Sequence, residues 1–341
     1  MWIEITTFFL TVSVLLYSLF AGADFGGGIL EFFRGRQLRT EQRELISHAL
    51  SPVWEANHVW LILAIVILFV GFPKAYAVIS TVFHIPLTLM LIGIILRGCA
   101  FTYRHYDAVK DRSHVYYSRI FVASSFLTPL MLGTIAGAIF LGRRVPNAQT
   151  FAEIFVAPWL NLFSFSVGTF TCILFSFLAA IYLLGEAPNE NLRALLVTRA
   201  KTLNGLAVLS GLSVFLAAEW DGLPLLHFFL GDPWALGCVV MATLLLAPLW
   251  LSLKFRSVIW SRFLVAAQVT FILMGWFRLQ FPALVVTRIV SSGLMGMETL
   301  NIYNSAAPEA TLRPLVGALI VGSVLIFPAL IYLLKIFKSV R

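Results

Sequence analysis

The sequence predicts an all-α polytopic membrane protein with about nine transmembrane helices. Three observations carry that fold class. Of the 341 residues, 60% are hydrophobic and only 12% are charged, about half the charged fraction of a soluble domain. Mean hydropathy is +0.92. Apolar runs long enough to cross a bilayer recur along the whole chain, and the basic residues fall mainly between them. In lipid, such runs satisfy their backbone groups only as helices.

In order, the spans are expected at 5–33, 53–72, 75–96, 120–141, 159–184, 202–218, 234–253, 263–281 and 314–334 of one integral-membrane domain, 1–341. Pro73 hinges the second span to the third. The eighth is the weakest, because Arg278 shortens its uncharged part; tilt or snorkelling of that arginine extends it. The start of the chain carries Glu4 and no basic region, so the first run reads as a retained span rather than a cleaved signal.

With the N-terminus outside, 18 of the 24 Lys and Arg lie on the cytoplasmic side. The other side holds Lys74, Arg143, Arg144, Arg278, Arg288 and Arg313. That bias predicts an outer N-terminus and a cytoplasmic C-terminus. The net charge of +8 is thus a topology signal rather than a nucleic-acid footprint. The connection 219–232 has three acids, no base and Pro224, which suits an outer loop.

The polar residues inside or beside spans are few. Asp24 ends the uncharged part of the first span, with Tyr17, Ala21, Gly28 and Glu31 on the same helical face. Gly26–Gly27–Gly28 allow a neighbouring helix to approach or the helix to bend. The second span opens with Trp54, Glu55, Asn57 and His58, the acid and imidazole one turn apart. Under the charge count, Asp24 and Glu55 both lie towards the cytoplasm. Two carboxylates and an imidazole there fit the entrance of a proton path. A structural salt-bridge cluster with Arg104 or Arg43 is the other reading, and the residue types leave both open.

Other chemistry is sparse. Cys99, Cys172 and Cys238 are isolated, without metal-ligand or haem-attachment spacing, and read as small structural residues. His84 stands alone in the third expected span, and no pair of histidines is spaced for haem ligation. The tryptophans cluster near span ends as interfacial anchors. Phosphate-loop, dinucleotide and nucleophile-elbow motifs are missing from the sequence. Nine spans with mid-chain glycines and intramembrane acids also fit a stand-alone secondary transporter, although the expected spans four to nine contain no acid.

Three stretches resemble subunit II of the cytochrome bd-type quinol oxidases. GADFGGGIL is similar to G-F-D-x-G-x-G-x-L. SPVWEANHVWLILAIVILFVGFPKAYA resembles P-x-W-[DE]-x-N-x-V-W-L followed by an apolar run and F-P-x-x-Y-A. LRGCAFTYR is close to R-G-x-A-F-[DE]-[FY]-R, and NIYNSAAPEATL resembles the Asn-Ala-Ala loop before the last helix. The resemblance implies a respiratory-chain oxidoreductase of the bacterial inner membrane that reduces O2 to water with electrons from quinol, taking protons from the cytoplasm. It implies two four-helix bundles plus one peripheral helix. It also implies that this chain binds no haem, has no catalytic residue, and pairs as a heterodimer with a subunit I that holds haem b, haem d and the quinol site. A small accessory subunit, lipid and a structural quinone are further partners it suggests. Carried over by motif, Asp24 and Glu55 match the family's acids and Trp54 and Asn57 their flanks; His58 joins them as a proton-path candidate. Two departures stand out: Ala21 and Thr102 occupy positions where relatives carry acids.

Overall fold

The computed structural model describes residues 1–33, 39–106, 113–144, 149–286, 288–289 and 299–339. At a few helix positions, Glu55 among them, only the backbone is described.

The described residues are mainly helical. The helices are α1 (Trp2–Phe32), α2 (Arg39–Gly71), α3 (Pro73–Val82), α4 (His84–Tyr106), α5 (Ser113–Leu141), α6 (Phe151–Phe155) and α7 (Leu162–Leu184). Beyond them lie α8 (Glu190–Trp220), α9 (Leu225–Gly231), α10 (Pro233–Leu244), α11 (Leu246–Lys254), α12 (Val258–Gln280) and α13 (Glu309–Ser339). Four short strands join loops in pairs: β1 (Arg143–Arg144) lies parallel to β3 (Arg288–Ile289), and β2 (Ala283–Val285) antiparallel to β4 (Leu300–Asn301).

Several helix starts are set by local chemistry. Asn161 and Asn189 cap α7 and α8 by accepting from the backbone N–H of Ser164 and Leu192. Asp232 caps α10 by accepting from Trp234 and Ala235, with Pro233 in the first turn. Each satisfies N–H groups that a helix leaves orphaned.

Among the described residues, eight helices are long and apolar enough to cross a membrane, and a ninth crossing results if the broken pair 57–71 and 73–82 counts as one. The third expected span needs correction. The sequence reading ran it from 75 to 96, but α3 turns through 117° from the preceding part of α2 and the spanning helix is α4. Pro73 starts α3 because its missing N–H is harmless in a first turn. A new helix then starts at His84, with Pro86 likewise in its first turn. The crossing is therefore displaced towards the C-terminus, and Arg97 and Arg104 lie inside a helix rather than in a loop.

The core is built around α1, which packs on α2, α5, α7 and α13. α4 packs chiefly on α5, α7 on α8, and α10 on α12. Every position from Ala21 to Glu31 is buried. Gly26 explains how: a Cβ there would stand 1.9 Å from the Phe175 carbonyl oxygen, so α7 backbone lies directly against α1. The triple glycine leaves α1 continuous.

Candidate functional site

Two acids of α1 and two arginines of α4 form a ladder in the core. Arg97 Nη2 donates to Asp24 Oδ1 at 2.5 Å and to the Asp24 backbone carbonyl at 3.0 Å. Two helical turns further on, Arg104 Nη1 donates to Glu31 Oε2 at 2.7 Å, and its Nη2 to Ser47 Oγ at 2.7 Å. All four ion-pair side chains are buried. Both rungs join residues 73 positions apart, so α1 and α4 run in the same direction. The chain between them must turn back, as it does if the broken pair 57–71 and 73–82 counts as one crossing.

Phe121 of α5 separates and supports the rungs. Its ring lies 5.0 Å from the Arg97 guanidinium and 4.4 Å from that of Arg104, while Phe25 covers Arg97 from 4.8 Å. Desolvated cation–π contacts favour the charged guanidinium, and the carboxylates neutralise it. A buried charge is tolerable only when paired in this way.

Of the candidates from the sequence, Asn57 and Asp24 meet directly: Asn57 Nδ2 donates to Asp24 Oδ2 at 3.5 Å. His58 is half-buried and follows Asn57 directly on α2. Its Nδ1 lies 2.8 Å from the Trp54 carbonyl. A carbonyl only accepts, so Nδ1 carries a proton and a neutral ring presents Nε2 as an acceptor. Trp54 packs edge-on to His58 and against Phe101 and Gly98 of α4. The side chain of Glu55 lies outside the described residues.

Several buried polar atoms of α1, α2 and α4, those of the Asp24 partners Asn57 and Arg97 among them, have no hydrogen-bond partner among the described residues. They are the Tyr17 hydroxyl, Asn57 Oδ1, Trp60 Nε1, and Nε and Nη1 of Arg97. Such atoms are costly to bury dry. Water is a group that satisfies donors and acceptors alike. The site is therefore a neutral ion pair bordered by unmet donors and acceptors, an arrangement suited to holding and orienting water.

The sequence reading missed Arg97 because it ended the third span at Leu96 and counted Arg97 and Arg104 as cytoplasmic charges. The signal that could have found them was their spacing, seven residues on α4 against seven between Asp24 and Glu31 on α1. The basic bias survives their removal from the count. Thr102 is exposed, and Arg104 takes its acid from Glu31 instead.

Elsewhere, His84 sits at the start of α4 with Nδ1 2.9 Å from the Thr81 carbonyl and its ring against Phe155. Cys172 is buried, Cys238 half-buried and Cys99 exposed, all free, so burial accounts for Cys172 but not Cys99. At the end of α1, Arg199 donates to the carbonyls of Phe33 and Leu30, and Gln42 donates to Leu30 at 3.1 Å. The Leu30 carbonyl in the last turn of α1 and that of its C-cap residue Phe33 are thereby met beside a positive charge.

Comparison with known proteins agrees with this architecture. Cytochrome bd ubiquinol oxidase subunit 2 of Bacillus subtilis is 30% identical over 172 residues, 49% of this chain and 48% of that protein. Cytochrome bd-I ubiquinol oxidase subunit 2 of Escherichia coli K12 is 34% identical over 135 residues, 39% of this chain and 35% of that one. The matched regions thus span about half the length of these relatives or less. A chain of the bd oxidase from Geobacillus thermodenitrificans superposes with a TM-score of 0.78 over 100% of this chain and 99% of its own length, at 20% identity, which shows a shared fold. The sequence profile of cytochrome bd terminal oxidase subunit II matches residues 2–337, nearly the whole chain, and this protein belongs to that family.

Proposed function

We propose that this chain is the haem-free subunit II of a bd-type terminal quinol oxidase. It pairs with a subunit I that holds the haems and the quinol site, and the complex reduces O2 to water with electrons from membrane quinol. Family membership supports this reading and leaves the stand-alone transporter without a feature of its own. The chain works in the inner membrane with its N-terminus outside, as the basic bias indicates. Its contacts are compatible with two four-helix bundles and α13 at the periphery: α13 packs chiefly on α1 and α2, and only 17% of its most apolar stretch is buried.

The chain's second role is to admit cytoplasmic protons, with Glu55 and His58 at the entrance and Asp24 beyond them. The observation that carries this reading is the Asp24–Arg97 pair bordered by unmet donors and acceptors. Asp24 takes part in passing a proton through adjacent water, while Arg97, donating to Oδ1 and to the Asp24 backbone carbonyl, holds the carboxyl group in place. Asn57 fixes the second carboxylate oxygen, and His58, proton on Nδ1, offers Nε2 as an acceptor on the entry side.

The test is O2 consumption by the purified complex. Asp24→Asn alone strands the Arg97 charge, so the informative variant is Asp24→Asn with Arg97→Gln. This double variant should assemble with normal haem spectra and turn over slowly. Normal turnover would remove the cluster from any proton route and leave it a packing device.

A further inference from the structure

The buried face of α1 that carries Asp24 continues two turns back to Tyr17, which is 3% exposed. Its hydroxyl has no hydrogen-bond partner among the described residues, and its ring packs in the same buried cluster as Trp60 and as Phe25 and Phe121, the two rings that flank Arg97. Asn57 is 0% exposed and Trp60 4%. Trp60 is closed off by Phe327 of α13, ring centroids 5.6 Å apart. The unmet atoms complement one another: Asn57 Oδ1 accepts, Trp60 Nε1 and the two Arg97 nitrogens donate, and the Tyr17 hydroxyl does both. A lipid chain would satisfy none of them, whereas water satisfies all.

Ala21, one turn between Tyr17 and Asp24 on the same face, is buried and offers no polar side-chain atom. Seven residues of helix rise about 10.5 Å, too far for Tyr17 and Asp24 to bond directly. We infer that Tyr17, Asn57, Trp60 and Arg97 enclose a cluster of bound water, and that the Tyr17 hydroxyl is a positioning residue carrying the proton route two turns past Asp24. Transfer through it is balanced. Its oxygen accepts a proton from a water on the Asp24 side while its own O–H proton passes to the next water, and no net charge stays on the ring.

This inference rests on the reading of Asp24 as part of a proton route. Its test uses the complete complex, comparing O2 turnover, haem spectra and the solvent deuterium isotope effect. Tyr17→Phe should slow turnover several-fold and raise the isotope effect without loss of haem. Adding Ala21→Asp to that variant should restore turnover, because a carboxylate one turn from Asp24 closes the gap that the hydroxyl spanned. Unchanged turnover in Tyr17→Phe overturns the inference. So does failure of Ala21→Asp to rescue a complex that keeps its haem, since Tyr17 would then serve packing alone. If Asp24→Asn with Arg97→Gln is slow while Tyr17→Phe is normal, only this inference falls. If both turn over normally, the proton-route reading falls with it.

Discussion

Arg104 reaches Glu31 at 2.7 Å in the buried core and repeats, two turns along, the pairing of Arg97 with Asp24. The two rungs hold α1 and α4 in one register. A slip of either helix would leave two carboxylates and two guanidiniums unpaired in the buried core.

Loss of one partner in the second rung should therefore be more damaging than loss of both. Glu31→Gln leaves a buried cation, at a cost of about 3–5 kcal/mol. Glu31→Gln with Arg104→Gln should recover much of that. Thermal melts of the detergent-purified complex complete the cycle, and strictly additive effects would show that the two groups do not interact.

Close approach of α1 and α7 depends on Gly26. A methyl group there meets the Phe175 carbonyl oxygen at 1.9 Å, and backbone cannot move aside as a flexible side chain would. Gly26→Ala should sharply reduce the yield of assembled complex, measured by haem absorbance per unit of membrane protein. Wild-type yield would show that the helices separate at little cost.

Topology is testable at the two ends of α8. Trp220, 82% exposed, and Glu190, also exposed, stand a full helix apart. A membrane-impermeant maleimide should label Trp220→Cys in intact cells and Glu190→Cys only after permeabilisation. The reverse pattern would invert the proposed orientation.

Haem content should be indifferent to the histidines of this chain. His58→Ala and His84→Ala should leave the haem stoichiometry of the complex unchanged in a pyridine haemochrome assay. Loss of one haem with His84→Ala would place a haem ligand here.

Acid should weaken the start of α10. The backbone N–H of Ala235, then the Arg278 guanidinium and the N–H of Trp234, hold the Asp232 carboxyl below its ordinary range. With the folded value below the unfolded one, its contribution to stability is full above the unfolded carboxyl range and fades as pH falls through the folded value. The gap in melting temperature between wild type and Asp232→Asn should be widest near about pH 6 and narrow towards about pH 3. A gap constant with pH would show that the cap is not electrostatic.

The sequence by itself determined the class of this protein. Apolar runs in a chain with so few charges leave helices as the only way to satisfy backbone in lipid, and the motifs around Asp24 and Trp54 marked the family. It also marked Asp24 and Asn57, which the fold joins. Local pattern could not locate the third crossing, because α2, α3 and α4 form one nearly continuous apolar tract whose 117° break is decided by packing. That displacement turned Arg97 and Arg104 from apparent loop charges into the partners of Asp24 and Glu31. The pattern placed Tyr17 on the helical face of Asp24, and only the fold, which buries it, left its hydroxyl without a hydrogen-bond partner among the described residues. Hydropathy is a property of the segment, and the chain carries it wherever it goes. Pairing between residues 73 positions apart exists only once α5 and α7 have packed α1 and α4 into register, so tertiary structure alone could decide it.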